Sequence, residues 1–169
     1  WVAAVEFDST NAQKNQGILV SADGQSQFPL RHGGEVSGVG FSSDSQFVAT
    51  SGKNGLITFW AVGTGQEQFD LDNGENIHSL ATSPVQGLIV AGLHDKLKMW
   101  DITKKELVID LAQQGDIETL SFSQDGKRFA SGSSEGNIQI WNVDGSTVSP
   151  AVESIPINGM PLSLAFSPD

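Results

Sequence analysis

One short stretch constrains this chain more than any other: Gly55-Leu56-Ile57-Thr58-Phe59-Trp60, an alternating segment ending in tryptophan. The chain writes it again as Leu97-Lys98-Met99-Trp100-Asp101 and as Asn137-Ile138-Gln139-Ile140-Trp141-Asn142. From Trp60 to Trp100 is 40 residues, and from Trp100 to Trp141 is 41. A near-constant period of this length means one supersecondary unit repeated, each copy needing neighbours to bury its faces. Any function must therefore be sought on a surface built of repeats.

Aligned on that strand, each unit resolves into four short strands with period-two alternation. The first strands read Val36 to Ser42, Ile77 to Ser83 and Ile117 to Ser123, with a fourth copy at Pro161 to Ser167. Polar turns follow, and then second strands begin at Phe47, Leu88 and Phe129. Turns at Asn54-Gly55, Asp95 and Glu135-Gly136 lead into the tryptophan strand, which is third; glycine there supplies the positive φ of a hairpin. The fourth strands, Gln66 to Leu71, Glu106 to Leu111 and about Val148 to Ile155, are short and polar, as exposed edges tend to be. Four strands in about 40 residues are the mark of propeller blades. The expected fold is thus an all-β propeller of four-stranded antiparallel blades, with four blade-equivalents in this chain.

The expected division is residues 1–34 for strands two to four of a first blade, 35–74 for a second, 75–114 for a third and 115–156 for a fourth. Residues 157–169 then supply an innermost strand that would complete a further or the first blade. In the first blade Trp1 stands where Phe47 stands in the second, and an insertion at 9–16 separates its strands. The ring is expected to be completed by missing parts of the same protein or by another chain. The choices are a piece of a larger propeller, an eight-bladed ring from two halves, and a closed ring of four.

Composition narrows the function classes. The net charge of −11, from 20 acidic against 9 basic residues, disfavours a phosphate-binding face and repels an anionic membrane. Proteins or peptides with basic segments are the expected partners, with neither nucleic acid nor membrane. There is no cysteine, hence no disulfide framework and no thiolate chemistry. Without a signal peptide or an apolar run of about 18 residues, a cytoplasmic setting is expected.

These residues resemble the WD-repeat β-propeller family over essentially the whole chain. The resemblance lies in Phe166-Ser167-Pro168-Asp169 after an innermost strand, turns like Ser-Gly-Ser-x-Asp-Gly between strands, as at Ser131-Gly132-Ser133-Ser134-Glu135-Gly136, and Trp100-Asp101 closing a third strand. It implies a hydrogen-bonded set in each blade: a turn His, a second-strand Ser or Thr, a turn Asp and the Trp. Carried over, the expected structural set is His32, Ser51, Trp60, Asp95, Trp100, Ser131 and Trp141, with Thr50 as the alternative to Ser51. No unit is complete: Asn54 stands where Asp belongs, Asn73 and Gln114 lie near the His place, and Ala91 lacks a hydroxyl.

The resemblance also puts the fourth-to-first and second-to-third turns on one face. That face is expected to carry Asp70, Asp72, Glu75, Asp95, Asp110, Asp116, Glu135 and Glu153, an acidic surface for a basic segment. Lys104, Lys105, Lys127 and Arg128 fall opposite. No cofactor is expected. His78 and His94 have no ligand at zinc-like spacing in sequence, so no metal is expected either. No nucleophile elbow, phosphate loop or calcium loop occurs, so catalysis is not expected. The expected role is a non-catalytic interaction scaffold. Its rival is an enzyme or ligand sensor using Ser37, Ser79, Glu118, Thr119 and Ser163 at an axial channel.

Overall fold

The computed structural model describes residues 1–6 and 16–168. Among the described residues it contains fifteen strands and no helix. The chain forms two compact units, Trp1–Ile77 and His78–Asp169.

The first unit holds two antiparallel sheets. β1 (Val2–Glu6), β2 (Gln16–Val20) and β3 (Gln27–Leu30) lie in chain order, followed by β4 (Val36–Phe41), β5 (Phe47–Gly52), β6 (Leu56–Ala61) and β7 (Glu67–Asp72), also in chain order. Glu6 pairs with Gln16, so Gln16 is a strand residue and not part of an insertion. The remainder of the expected insertion, 9–15, lies outside the described residues.

Alternation along β6 sends neighbouring aromatics to opposite faces. Trp60 is buried with Val48 against Leu19 and Leu30 of the three-stranded sheet. Phe59 points the other way and stacks on Phe69 at 4.4 Å, with Phe47 edge-on to both. The tryptophan is thus a packing element between two sheets, where a blade alone would leave it wet.

The second unit comprises β8 (Ser79–Thr82), β9 (Leu88–Gly92), β10 (His94–Asp101), β11 (Glu106–Phe122), β12 (Arg128–Ser133), β13 (Asn137–Asp144), β14 (Thr147–Pro150) and β15 (Ile155–Pro156). β11 departs from expectation. Its first half pairs β10 and its second half pairs β12, so the expected boundary at 114/115 falls inside one strand. Gly115, at φ +84°, lets the chain change partner there without a separate turn. The core collects Leu88, Val90, Leu97 and Met99 from one side and Ile117, Phe129, Trp141 and Val143 from the other.

Two further departures concern the last segments. The outermost strand expected near 148–155 is split into β14 and β15, both pairing β13, with 151–154 outside the ladder. Pro161 to Ser167, expected to form an innermost strand, make no ladder bonds, and Leu162 is 79% exposed. Alternating small residues permit a strand there, but a strand exists only where a neighbour supplies its hydrogen bonds.

Candidate functional site

The first unit contains a closed hydrogen-bond chain at its centre. The Trp60 indole N–H donates to Thr50 Oγ1 at 2.8 Å, and Thr50 Oγ1 lies 2.9 Å from His32 Nδ1. His32 Nε2 meets Asn54 Oδ1 at 2.9 Å, and the Asn54 amide donates back to the His32 carbonyl at 3.1 Å. Because the Leu56 N–H also donates to Asn54 Oδ1, that atom is the oxygen, an acceptor. His32 must then carry its proton on Nε2, and Thr50 donates to Nδ1. The proton order is therefore fixed from Trp60 through Thr50 and His32 to Asn54.

Burial holds the His32 pKa below the usual 6.5, against opposing pulls from its Asn54 hydrogen bond and the charges of Asp70 and Glu67. Gly52 makes room: a Cβ there would lie 2.7 Å from the imidazole.

This corrects the placement of Ser51. Trp60 pairs with Val48, so Thr50, two residues along, shares its face while Ser51 points away. The Ser51 hydroxyl lies 3.2 Å from that of Ser37 instead.

In the second unit Trp141 donates to Ser131 Oγ at 2.8 Å, and Ser131 donates to Gln113 Oε1. Gln113, rather than the exposed Gln114, thus occupies the histidine position. Here the chain stops, since Gln113 Nε2 is buried with no hydrogen-bond partner. The place opposite Trp100 belongs to Ile89, and two residues on stands Ala91, with no hydroxyl to offer. Trp100 is only half-buried, unlike Trp60 and Trp141 at 4% and 6% exposure. Asp95 sits at φ +57° and accepts from the Gly115 N–H at 2.7 Å, so it ties two connections together instead of closing a set with a histidine.

The connections between fourth and first strands lie beside the second-to-third turns in each unit. In the first, Lys53 N–H donates to Glu35 O and Asn73 N–H to Gly55 O. In the second, Ser134 N–H donates to Asp116 O. Asp72, Glu75, Asp95, Asp116 and Glu135 belong to these ends. Asp70 and Asp110 do not: they stand further inside the ladders, opposite Thr58 and Lys98, whereas Asp72 and Asp116 hold the end pairs, opposite Leu56 and His94. Glu153 falls in the segment between β14 and β15. The end is not purely acidic, because Lys53 forms a 2.9 Å ion pair with Glu35.

In the second unit two histidines converge beside these connections. His94 Nδ1 is 2.6 Å from Asp116 Oδ1, and His78 Nε2 is 3.7 Å from the same oxygen. Ligand atoms of His78, Asp116 and Glu118 all lie within 4.8 Å of one another. Sequence spacing did not reveal this grouping, because its members are up to 40 residues apart.

The opposite turns share a different device. Ser42 donates to Asp44 Oδ1 at 2.6 Å while the same carboxylate takes the Gln46 N–H; Ser123, Asp125 and Lys127 repeat the arrangement. Asp44 is held below its usual 3.8 by the Ser42 hydroxyl and then the Gln46 N–H, and Asp125 by the Lys127 N–H and then Ser123. A surface cleft of about 300 Å³ adjoins Asp125, Arg128 and Phe166, but its carboxylate is already engaged in the turn. Of the residues named for a channel site, Ser37 is bonded to Ser51, and Ser79 donates to the Ile117 carbonyl.

The WD domain, G-beta repeat family matches residues 24–61 and 105–142. Each segment ends one residue past a tryptophan whose indole finds a hydroxyl, and Trp100 lies outside both. The small ribosomal subunit protein RACK1z of Oryza sativa subsp. japonica is 33% identical over 122 residues, 68% of this chain and 36% of its own length. RACK1y of the same organism is 34% identical over 122 residues, again 68% of this chain and 36% of its own length. RACK1 of Medicago sativa is 31% identical over 131 residues, 66% of this chain and 40% of its own length. The chain thus spans well under half the length of these relatives. With two matched repeats, tryptophan-centred hydrogen-bond chains and an all-antiparallel arrangement of short strands, it is a WD-repeat β-propeller protein.

Proposed function

We propose that this chain is part of a non-catalytic interaction scaffold that binds basic protein segments through the blade ends carrying Asp72, Glu75, Asp95, Asp116 and Glu135. The observation that supports it most is that, in each unit, these carboxylates stand on hairpin turns, connections and the ladder ends beside them, which its own sheets position. Loops on a stiff frame bind with little ordering cost. Two of the inner-strand hydroxyls named for a channel site, Ser37 and Ser79, are engaged in structural hydrogen bonds, which argues against the enzyme or sensor reading. Residues beyond this chain complete the ring, in keeping with the greater length of the relatives.

The relatives' names favour one specific setting, association with the small ribosomal subunit, and the cytoplasm is the place we propose for it. A net charge of −11 makes direct RNA contact by this part unfavourable, so the contact we expect is with ribosomal or bound proteins. No helix among the described residues is long and apolar enough to cross a membrane.

Panning a random peptide library tests the role. Enrichment of Lys- and Arg-rich peptides, lost when the five carboxylates are changed to Asn or Gln, is expected. Enrichment of acidic peptides, or selection unchanged in the neutralised variant, overturns it. Cosedimentation with purified small subunits tests the setting, and no comigration excludes it.

A further inference from the structure

We propose that the second unit binds one divalent transition-metal ion of the zinc class through His78, Asp116 and Glu118, with His94 positioning Asp116. The proposal goes beyond partner binding and stands whether or not basic segments are recognised.

Neutral imidazole and carboxylate oxygens are the donors that zinc takes when no thiolate is present. Three such groups, from two separate segments, already have ligand atoms within 4.8 Å of one another. Zinc bonds of about 2.0–2.2 Å put ligand atoms roughly 3.4 Å apart in a tetrahedron, so only a small inward rotation is needed. His78 and Asp116 side chains are 26% and 36% exposed, which leaves them free to make it and leaves a path for the ion.

The surroundings resemble a supported site more than a chance ion pair. The Asp116 backbone is held on both sides by Ser134, whose hydroxyl accepts the Asp116 N–H at 2.9 Å and whose N–H donates to the Asp116 carbonyl at 2.9 Å. The His78 N–H is anchored on Gly92 O at 2.8 Å. The ladder shifts register between Ile117 and Thr119, and Glu118 is the residue at that shift. Bulges re-aim side chains and are frequent beside sites. His94, facing Asp116 in the ladder, bonds the carboxylate at 2.6 Å, the arrangement by which an outer partner orients a metal-binding carboxylate. An ordinary salt bridge would need one histidine; here two imidazoles and a second carboxylate surround Asp116.

Metal-free, tag-free protein titrated with Zn²⁺ by calorimetry, and with Co²⁺ by visible absorption, decides the matter. One saturable equivalent is expected, with Co²⁺ bands of low-symmetry N/O coordination displaced by Zn²⁺. His78→Ala and Glu118→Gln each weaken Zn²⁺ by more than about tenfold, whereas His94→Ala weakens it less and leaves the Co²⁺ bands in place. Glu118→Gln keeps the side-chain size, and circular dichroism verifies that each variant is folded. The absence of saturable binding overturns the proposal, as does binding that both His78→Ala and Glu118→Gln leave unchanged.

Discussion

Replacing Thr50 by Val tests whether the hydrogen-bond chain, rather than the tryptophan's bulk, holds the first unit together. Val keeps the volume and the methyl that packs beside Gly17, and removes only the hydroxyl. Two buried groups lose their partner at once: the Trp60 indole N–H and His32 Nδ1. A buried polar group left unsatisfied costs about 1–3 kcal/mol, so the pair costs about 2–6 kcal/mol. At roughly 2–4 °C per kcal/mol for a chain of this size, the midpoint of thermal unfolding falls by about 4–24 °C. Urea unfolding followed by Trp fluorescence and thermal unfolding followed by circular dichroism both read this out. Ser51→Ala provides the contrast, since the Ser51 hydroxyl lies on the opposite face and bonds only the Ser37 hydroxyl at 3.2 Å; it should cost about 1 kcal/mol. A Thr50→Val loss no larger than that of Ser51→Ala would refute the reasoning.

Other expectations follow from the same geometry. Burial depresses the His32 pKa below its unfolded 6.5, so the unfolded chain binds more protons just below that pH, and stability falls as pH drops from about 6.5 toward the folded value. His32→Gln, the residue type that Gln113 supplies in the second unit, should flatten that part of the stability–pH curve. Asn54→Asp places a carboxylate against Nε2 and should raise the His32 pKa, measurable by NMR titration. Trp141→Ala should cost about 3–5 kcal/mol, and Trp100→Ala clearly less because it is only half-buried. Gly52→Ala drives a methyl into the His32 ring and Glu35 carbonyl and should unfold the first unit at lower denaturant than wild type.

Much of the strand plan was legible because two signals coincide, a 40-residue period and period-two alternation. What failed needed register or distance. Thr50 and Ser51 are adjacent hydroxyls, and only the pairing of Trp60 with Val48 decides which shares the indole's face. Gln113 and Gln114 pose the same ambiguity on β11. Continuity of β11 was hidden because Gly115 reads as a turn residue in sequence, although it here kinks one strand between two partners. Pro161 to Ser167 show that strand character in sequence does not make a strand without a hydrogen-bonding neighbour. The acidic end lost Asp70 and Asp110 to positions further inside the ladders and gained Lys53 as a counter-charge. The convergence of His78, Asp116 and Glu118 carried no sequence signal, since sheet pairing rather than local spacing brings them together.

The central claim is electrostatic recognition by a rigid, non-catalytic scaffold, and the ionic-strength dependence of peptide binding tests it most directly. A fluorescent Lys- and Arg-rich peptide, titrated by anisotropy at low salt and again near 0.15 M, should bind progressively more weakly as the Debye length shrinks to about 8 Å. Neutralising Asp72, Glu75, Asp95, Asp116 and Glu135 should remove most of that dependence. An affinity indifferent to salt, or equal for an acidic peptide of the same length, would contradict the account.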